Sequence, residues 1–279
     1  MKTDYKNFYF LHIPKTGGRY VKSYILNQLN NQVDIISKNE RHSGWISDID
    51  DNTYIFSILR DPVKLVCSQY AHLVSQKAGL IEDSLDMENH TDRVKENIIN
   101  INLDREHFLK WVYANPWMYN LQSKEILNGS TENRNVMDII VQKYTFNNNV
   151  DKELLYERLN RINLLVRQTS LYNPESVAKK LCSDLNIKMA GDLEKDNSIY
   201  HNVASSNLYN TLTKEDIAWI EDLFAVDVEI YNNHSIFSQL DNICSFCGRY
   251  AYTTEYIRTT WKKYSFCVEC IKLKEALIG

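Results

Sequence analysis

The chain has 279 residues, 44% of them hydrophobic and 24% charged, with a formal net charge of −4 at pH 7. That balance fits a globular chain and argues against a disordered one or a general polyanion binder, which carries a basic excess. No stretch nears the ~20 consecutive apolar residues of a membrane span. The opening MKTDYKNFYFLHIP lacks the basic flank, apolar run and cleavage site of a signal peptide, so the expected setting is cytoplasmic.

Phe8 to Ile13 is an apolar-aromatic run stopped by Pro14, which predicts a buried strand. Lys15 to Gly18 read as a loop, and Val21, Tyr24, Ile25 and Leu29 then recur at helical spacing. Val33 to Ile36 reads as a second strand. Tyr54 to Leu59 reads as a third, ending at Arg60-Asp61-Pro62. Pro62 suits the first turn of a helix, whose face continues through Val66, Tyr70, Leu73 and Val74. Residues 80–105 are polar, acidic and weakly periodic, and read as a surface insertion. His107 to Ala114 and Trp117 to Leu127 read as helices, Leu164 to Arg167 as a strand, and Pro174 to Leu185 as a helix. Thr213, with Asp216 three positions on, opens a helix through Leu223. Alternating strands and helices predict an α/β fold over residues 1–240: a P-loop-like, three-layer domain around a parallel sheet.

Four of the six cysteines fall beyond this domain, in residues 241–279. Cys244 and Cys247, then Cys267 and Cys270 with nineteen residues between the pairs, have the spacing of a four-thiolate zinc site. The segment between the pairs reads as a β-hairpin, and Val268 to Leu277 as a helix, which suggests a treble-clef or ribbon module. Four thiolates close the coordination sphere, so the zinc is expected to be structural.

The loop at Lys15 suits an anion. A helix start offers backbone N–H groups and a positive dipole end, Gly17 and Gly18 let a phosphate approach, and Lys15 adds a full charge. The order differs from a GxxxxGK[ST] nucleotide loop, because Lys15 precedes the glycines and Gly-Lys occurs nowhere in the chain.

The run HIPKTGG at His12 to Gly18 resembles the 5′-phosphosulfate loop of the carbohydrate-type sulfotransferases, the heparan sulfate 2-O and 6-O type. Their donor is 3′-phosphoadenosine-5′-phosphosulfate (PAPS). The run YIFSILRDP at Tyr54 to Pro62, with Ser68 beyond, resembles the 3′-phosphate motif of the same family. His42 to Trp45 resembles its His-x-x-Trp segment, and Asn120-Leu121-Gln122 a downstream Asn-x-Gln segment. His201 to Asn207 is matched to a loop closing over the nucleotide. The chain departs from the family at Arg19 and Tyr20, where hydroxyl residues are usual, and at Leu65, where a second arginine is usual, with Lys64 beside it.

The resemblance implies sulfonate transfer from PAPS to a hydroxyl or amine of a small-molecule or carbohydrate acceptor; the charge balance and apolar patterning, by themselves, predict no nucleic acid or membrane partner. Lys15, Thr16, Gly17, Gly18, Arg19 and Tyr20 would hold the 5′ end, and Arg60 and Ser68 the 3′-phosphate. Lys15 would stabilise the leaving phosphate and His42 would act as base, with His12 and His107 as the other histidines suited to that task. Asp61 is expected to cap a helix or orient Arg60. Trp45, Trp111, Trp117 and Tyr119 are candidates for the acceptor pocket and equally for the core. A nucleotide kinase or NTPase with an altered loop, or a zinc-module adaptor without catalysis, are the alternatives.

Overall fold

A computed structural model describes residues 5–29, 32–36, 44–46, 49–77, 103–128, 150–190, 203–240, 253–257 and 262–266. Strands β1 (Asn7–Leu11), β2 (Asp34–Ile35), β3 (Thr53–Leu59) and β4 (Leu164–Arg167) form one parallel sheet in the order β2-β1-β3-β4. Phe10 lies beside Phe56, and Leu59 beside Arg167, so β3 and β4 end level with each other. Every residue of β3 is buried, as a central parallel strand covered on both sides demands.

The helices follow in chain order. α1 (Gly18–Tyr20) runs on as a π turn (Val21–Ile25) and a 3₁₀ turn (Leu26–Leu29). After it come α2 (Pro62–Lys77), α3 (Arg105–Ala114), α4 (Leu121–Asn128), α5 (Lys152–Arg161) and α6 (Pro174–Asp184). The last three are α7 (Val203–Thr211), α8 (Lys214–Leu223) and α9 (Ala225–Asn232).

Strand alternation sorts the sheet's side chains onto two faces. Phe8, Phe10, Tyr54, Phe56, Ile58, Leu164 and Val166 pack with Val21, Ile25 and Leu29 of the first helical segment and with Val177 and Leu181 of α6. Tyr9, Leu11, Ile55, Leu59 and Leu165 pack on the other face with Ile126 of α4, Leu155 and Leu159 of α5, and Ile230 of α9. Helices thus cover both faces of the sheet. A third apolar cluster joins Val63, Val66 and Cys67 of α2 to Phe108 and Val112 of α3, Leu208 of α7 and Ile220 of α8.

Several boundaries differ from the sequence reading. The first strand stops at Leu11, with a bridge at His12, and the turn toward Lys15 begins at Pro14. The end of the expected insertion is packed: Leu103 is buried in the third cluster, and Asp104 caps α3 by accepting from the His107 N–H. Residues 80–102 of that insertion lie outside the described residues. The single helix expected over Trp117 to Leu127 is broken. Pro116–Met118 form a 3₁₀ turn, and Asn120 sits at φ 55° so that its amide can cap another helix. The loop matched to His201–Asn207 is helical from Val203 on, since Leu208 anchors α7 in the third cluster. Helix α5 escaped the periodicity reading, although Asp151 caps it and Leu155 and Leu159 lie one turn apart. By contrast, the reciprocal capping box of Thr213 and Asp216 opens α8 as the sequence suggested.

Beyond residue 240, β5 (Thr253–Ile257) and β6 (Lys262–Phe266) pair as an antiparallel hairpin, the arrangement expected between the cysteine pairs. Cys244, Cys247, Cys267 and Cys270 lie outside the described residues, as does the helix expected at Val268–Leu277. No described helix is long and apolar enough to cross a membrane.

Candidate functional site

In the order β2-β1-β3-β4 the chain leaves β1 toward β2 on one side, and β3 toward β4 on the other. The strand order therefore reverses between β1 and β3. Open parallel sheets bind ligands just beyond the carboxyl ends of the strands at such a switch point. The residues standing there are the Lys15 loop, which follows β1, and Arg60, which follows β3.

The loop is built by local bonds and one close approach. Lys15 is half-buried and adopts φ 65°, a conformation uncommon for a residue with a side chain. Thr16 is fully buried and its hydroxyl donates to the Ile13 carbonyl at 2.8 Å, so that oxygen serves the turn. Gly17, at φ 103°, is the residue from which the helix starts, with Val21 N–H donating to its carbonyl. Gly18 makes room for His12: a Cβ there would lie 1.7 Å from His12 Nε2. His12 is accordingly buried, 4% exposed, with its ring stacked on Phe10 at 5.2 Å. That histidine packs beneath the loop.

Arg60 joins the two strand ends. Its Nη1 donates to the Lys15 carbonyl at 2.9 Å, across 45 positions of sequence. Its backbone is held as well: Arg60 N–H donates to Gln122 Oε1 at 2.8 Å, and Gln122 Nε2 donates to the Arg60 carbonyl at 2.8 Å. Asp61 caps α2 by accepting from the Lys64 N–H at 2.9 Å. Ser68 is buried in α2, 3% exposed. Cys67, beside it, has its thiol pushed up to about 12 by burial, an effect that nearby Arg60 offsets in part. Burial removes it from thiolate chemistry.

The remaining candidates fall elsewhere. His42 and the Arg19 side chain lie outside the described residues. Tyr20 is half-buried against the first-helix face of the sheet. Gly44, two positions after His42, accepts from the Tyr9 hydroxyl. Trp45 is core: its N–H donates to the Glu125 carbonyl, and the guanidinium groups of Arg158 and Arg161 lie over its ring at 5.1 and 5.4 Å. Tyr119 is core too, its ring edge-on to Phe224 and its hydroxyl donating to the Val112 carbonyl. Trp111 is half-buried against Tyr70, and the Trp117 side chain is not among those described. His107 is exposed on α3 beside Asp104. Leu65 is buried, and the Lys64 ammonium lies over the Tyr209 ring at 5.1 Å.

Of two residues in the site's support, Asp227 was missed by the sequence reading and Asn120 was singled out only as part of the Asn-x-Gln match. Asp227, fully buried, accepts from the N–H groups of Gln122 and Ser123 at 3.0 and 2.8 Å and from the Ser123 hydroxyl. Asn120 Oδ1 in turn accepts from the N–H groups of Val226 and Asp227 at 3.0 and 3.2 Å. α4 and α9 therefore cap one another. Burial pushes the Asp227 carboxyl above the ordinary range, while these donors and Lys124 pull the other way.

No family model, curated protein or solved structure matches this chain.

Proposed function

We propose that the chain is a sulfotransferase that moves a sulfonate group from PAPS to a hydroxyl or amine of a soluble, cytoplasmic small-molecule or carbohydrate acceptor. One observation carries the reading: the Arg60 guanidinium bridges to the Lys15 carbonyl across the switch point. A lysine loop and an arginine at neighbouring strand ends suit a nucleotide phosphorylated at both its 5′ and 3′ positions. Arginine presents a rigid fork of donors to a phosphate, whereas Lys15 supplies a point charge. The sequence motifs supply the rest of the support, with HIPKTGG and RDP standing at the two positions that the fold brings together.

In the reaction the acceptor oxygen or nitrogen attacks sulfur, and the bond from sulfur to the 5′-phosphate oxygen breaks. The leaving group is 3′-phosphoadenosine-5′-phosphate. Lys15 stabilises the charge that develops on its departing oxygen. The acceptor's proton passes to His42, whose ordinary pKa of about 6.5 suits a base at neutral pH. Arg60, with Ser68, holds the 3′-phosphate and so separates this donor from ATP.

The four cysteines are assigned to a structural zinc. The fit rests on the donor set and on the hairpin: Phe266, which pairs with Thr253, directly precedes Cys267, and Cys247 lies six residues before Thr253. When bound, the zinc would cross-link the hairpin to the chain on either side.

Thermal unfolding with 3′-phosphoadenosine-5′-phosphate or ATP tests the donor site. At 100 times its Kd a ligand stabilises by about 2.7 kcal/mol, so the diphosphate should raise the Tm and ATP should not. Transfer of ³⁵S from labelled PAPS to a product in a cell extract tests the chemistry. A rise with ATP alone would overturn the reading.

A further inference from the structure

The geometry points to Gln122 as the positioning residue for the 3′-phosphate grip, acting through the backbone of Arg60; this rests on the function proposed above. Arg60 follows directly on the last residue of β3, where ladder pairing runs out. The Gln122 side chain, fully buried, takes over that pairing: its carbonyl oxygen accepts from the Arg60 N–H and its amide donates to the Arg60 carbonyl. The two bonds close a ring like the one a neighbouring strand would make. They fix both backbone polar groups of one residue.

Gln122 is itself anchored from behind. Its own N–H donates to Asp227, which is fully buried and also holds Ser123. Asn120, at φ 55°, returns a cap to the N–H of Asp227. The chain of contacts therefore runs from the start of α9, through the start of α4, to the Arg60 backbone and on to the guanidinium on Lys15. A charged side chain grips an anion well only when its root is fixed, because a loose backbone must be ordered at the moment of binding. Besides the bond from Arg60, the Lys15 loop has bonds of its own, from Thr16 to Ile13 and from Val21 to Gly17, that do not pass through Gln122.

The test compares two nucleotides on the full-length protein by titration calorimetry: 3′-phosphoadenosine-5′-phosphate, and 5′-AMP, which lacks the 3′-phosphate. The wild type should bind the first more tightly. In Gln122→Ala that advantage should fall roughly 10-fold, the equivalent of ordering one backbone residue, while 5′-AMP affinity stays within about twofold. Gln122→Met keeps the volume but loses both bonds and should lower the advantage as the alanine variant does; it is read in place of the alanine variant if that one does not fold. Equal weakening of both nucleotides, or an unchanged advantage, would overturn the positioning role and leave the donor site standing. A wild type that does not distinguish the two nucleotides overturns both.

Discussion

The carboxyl edge of the sheet and the helical layer of α2, α3, α7 and α8 are held together by different means. At the sheet edge, polar groups are tied to backbone: Thr16 to Ile13, Arg60 to Lys15, Gln122 to Arg60, and Asp227 to the start of α4. In the helical layer the contacts are apolar, built on Phe108, Val112, Leu208 and Ile220, with ion pairs such as Arg105 to Asp216 at its margin. Hydrogen bonds are directional and short-ranged, so they fix where a charge points. Apolar burial is non-directional and supplies most of the stability. The difference separates residues that aim the site from residues that keep the chain folded.

That division predicts opposite readouts in the two regions. Phe108→Ala should remove ~4 kcal/mol of stability, because the side chain is fully buried among Tyr70, Trp111 and its neighbours. Urea unfolding would show it, and nucleotide affinity at a temperature where the variant is folded should be unchanged. A large affinity loss there would break the comparison.

Gly18→Ala should cost about 3 kcal/mol, since the new methyl group meets the His12 ring. It lies at the boundary of the two classes, so it should lower both the Tm and the affinity for 3′-phosphoadenosine-5′-phosphate. Arg60→Ala should weaken that nucleotide ~100-fold, the loss of charged hydrogen bonds worth roughly 1.5–3 kcal/mol each, and should lower the urea midpoint by less than Phe108→Ala does, through the lost bond to the Lys15 carbonyl. Calorimetry and urea unfolding on one preparation check both halves of that statement.

The smallest effect concerns pH. Arg105 donates to both oxygens of Asp216, at 2.6 and 2.7 Å, and this holds the Asp216 carboxyl below the usual carboxylate range. A depressed folded-state value contributes stability that is present above the ordinary carboxylate pKa of about 4 and is lost as pH falls below it. The wild type should therefore exceed Arg105→Ala in urea midpoint at pH 7, and the gap should narrow progressively as the pH falls below about 4. The pair is partly exposed, so salt should shrink the gap as well. A gap that persists in acid would show that Arg105 acts through packing.

Much of the site was legible because its pieces are local. A strand, a lysine, two glycines and a helix follow one another in twelve or so residues, as do the third strand, Arg60, Asp61 and Pro62. Asp61 as a cap and Thr213 with Asp216 as a capping box follow from interactions three residues apart. Trp45 was not assignable by such means. Whether an aromatic lines a pocket or the core depends on Arg158 and Arg161, more than a hundred positions away.

The amino-acid order alone determined the strands, several of the helices and the chemistry on offer, because periodicity, caps and turn residues act over one or two turns of chain. It also determined the cysteine spacing and the hairpin between the pairs. The strand order, the meeting of Arg60 with Lys15, the burial of His12 under Gly18 and the grip of Gln122 on Arg60 were decided only by tertiary structure. Most of these contacts join residues tens of positions apart, and such pairs become neighbours only when sheet pairing and core packing have fixed the path of the chain between them.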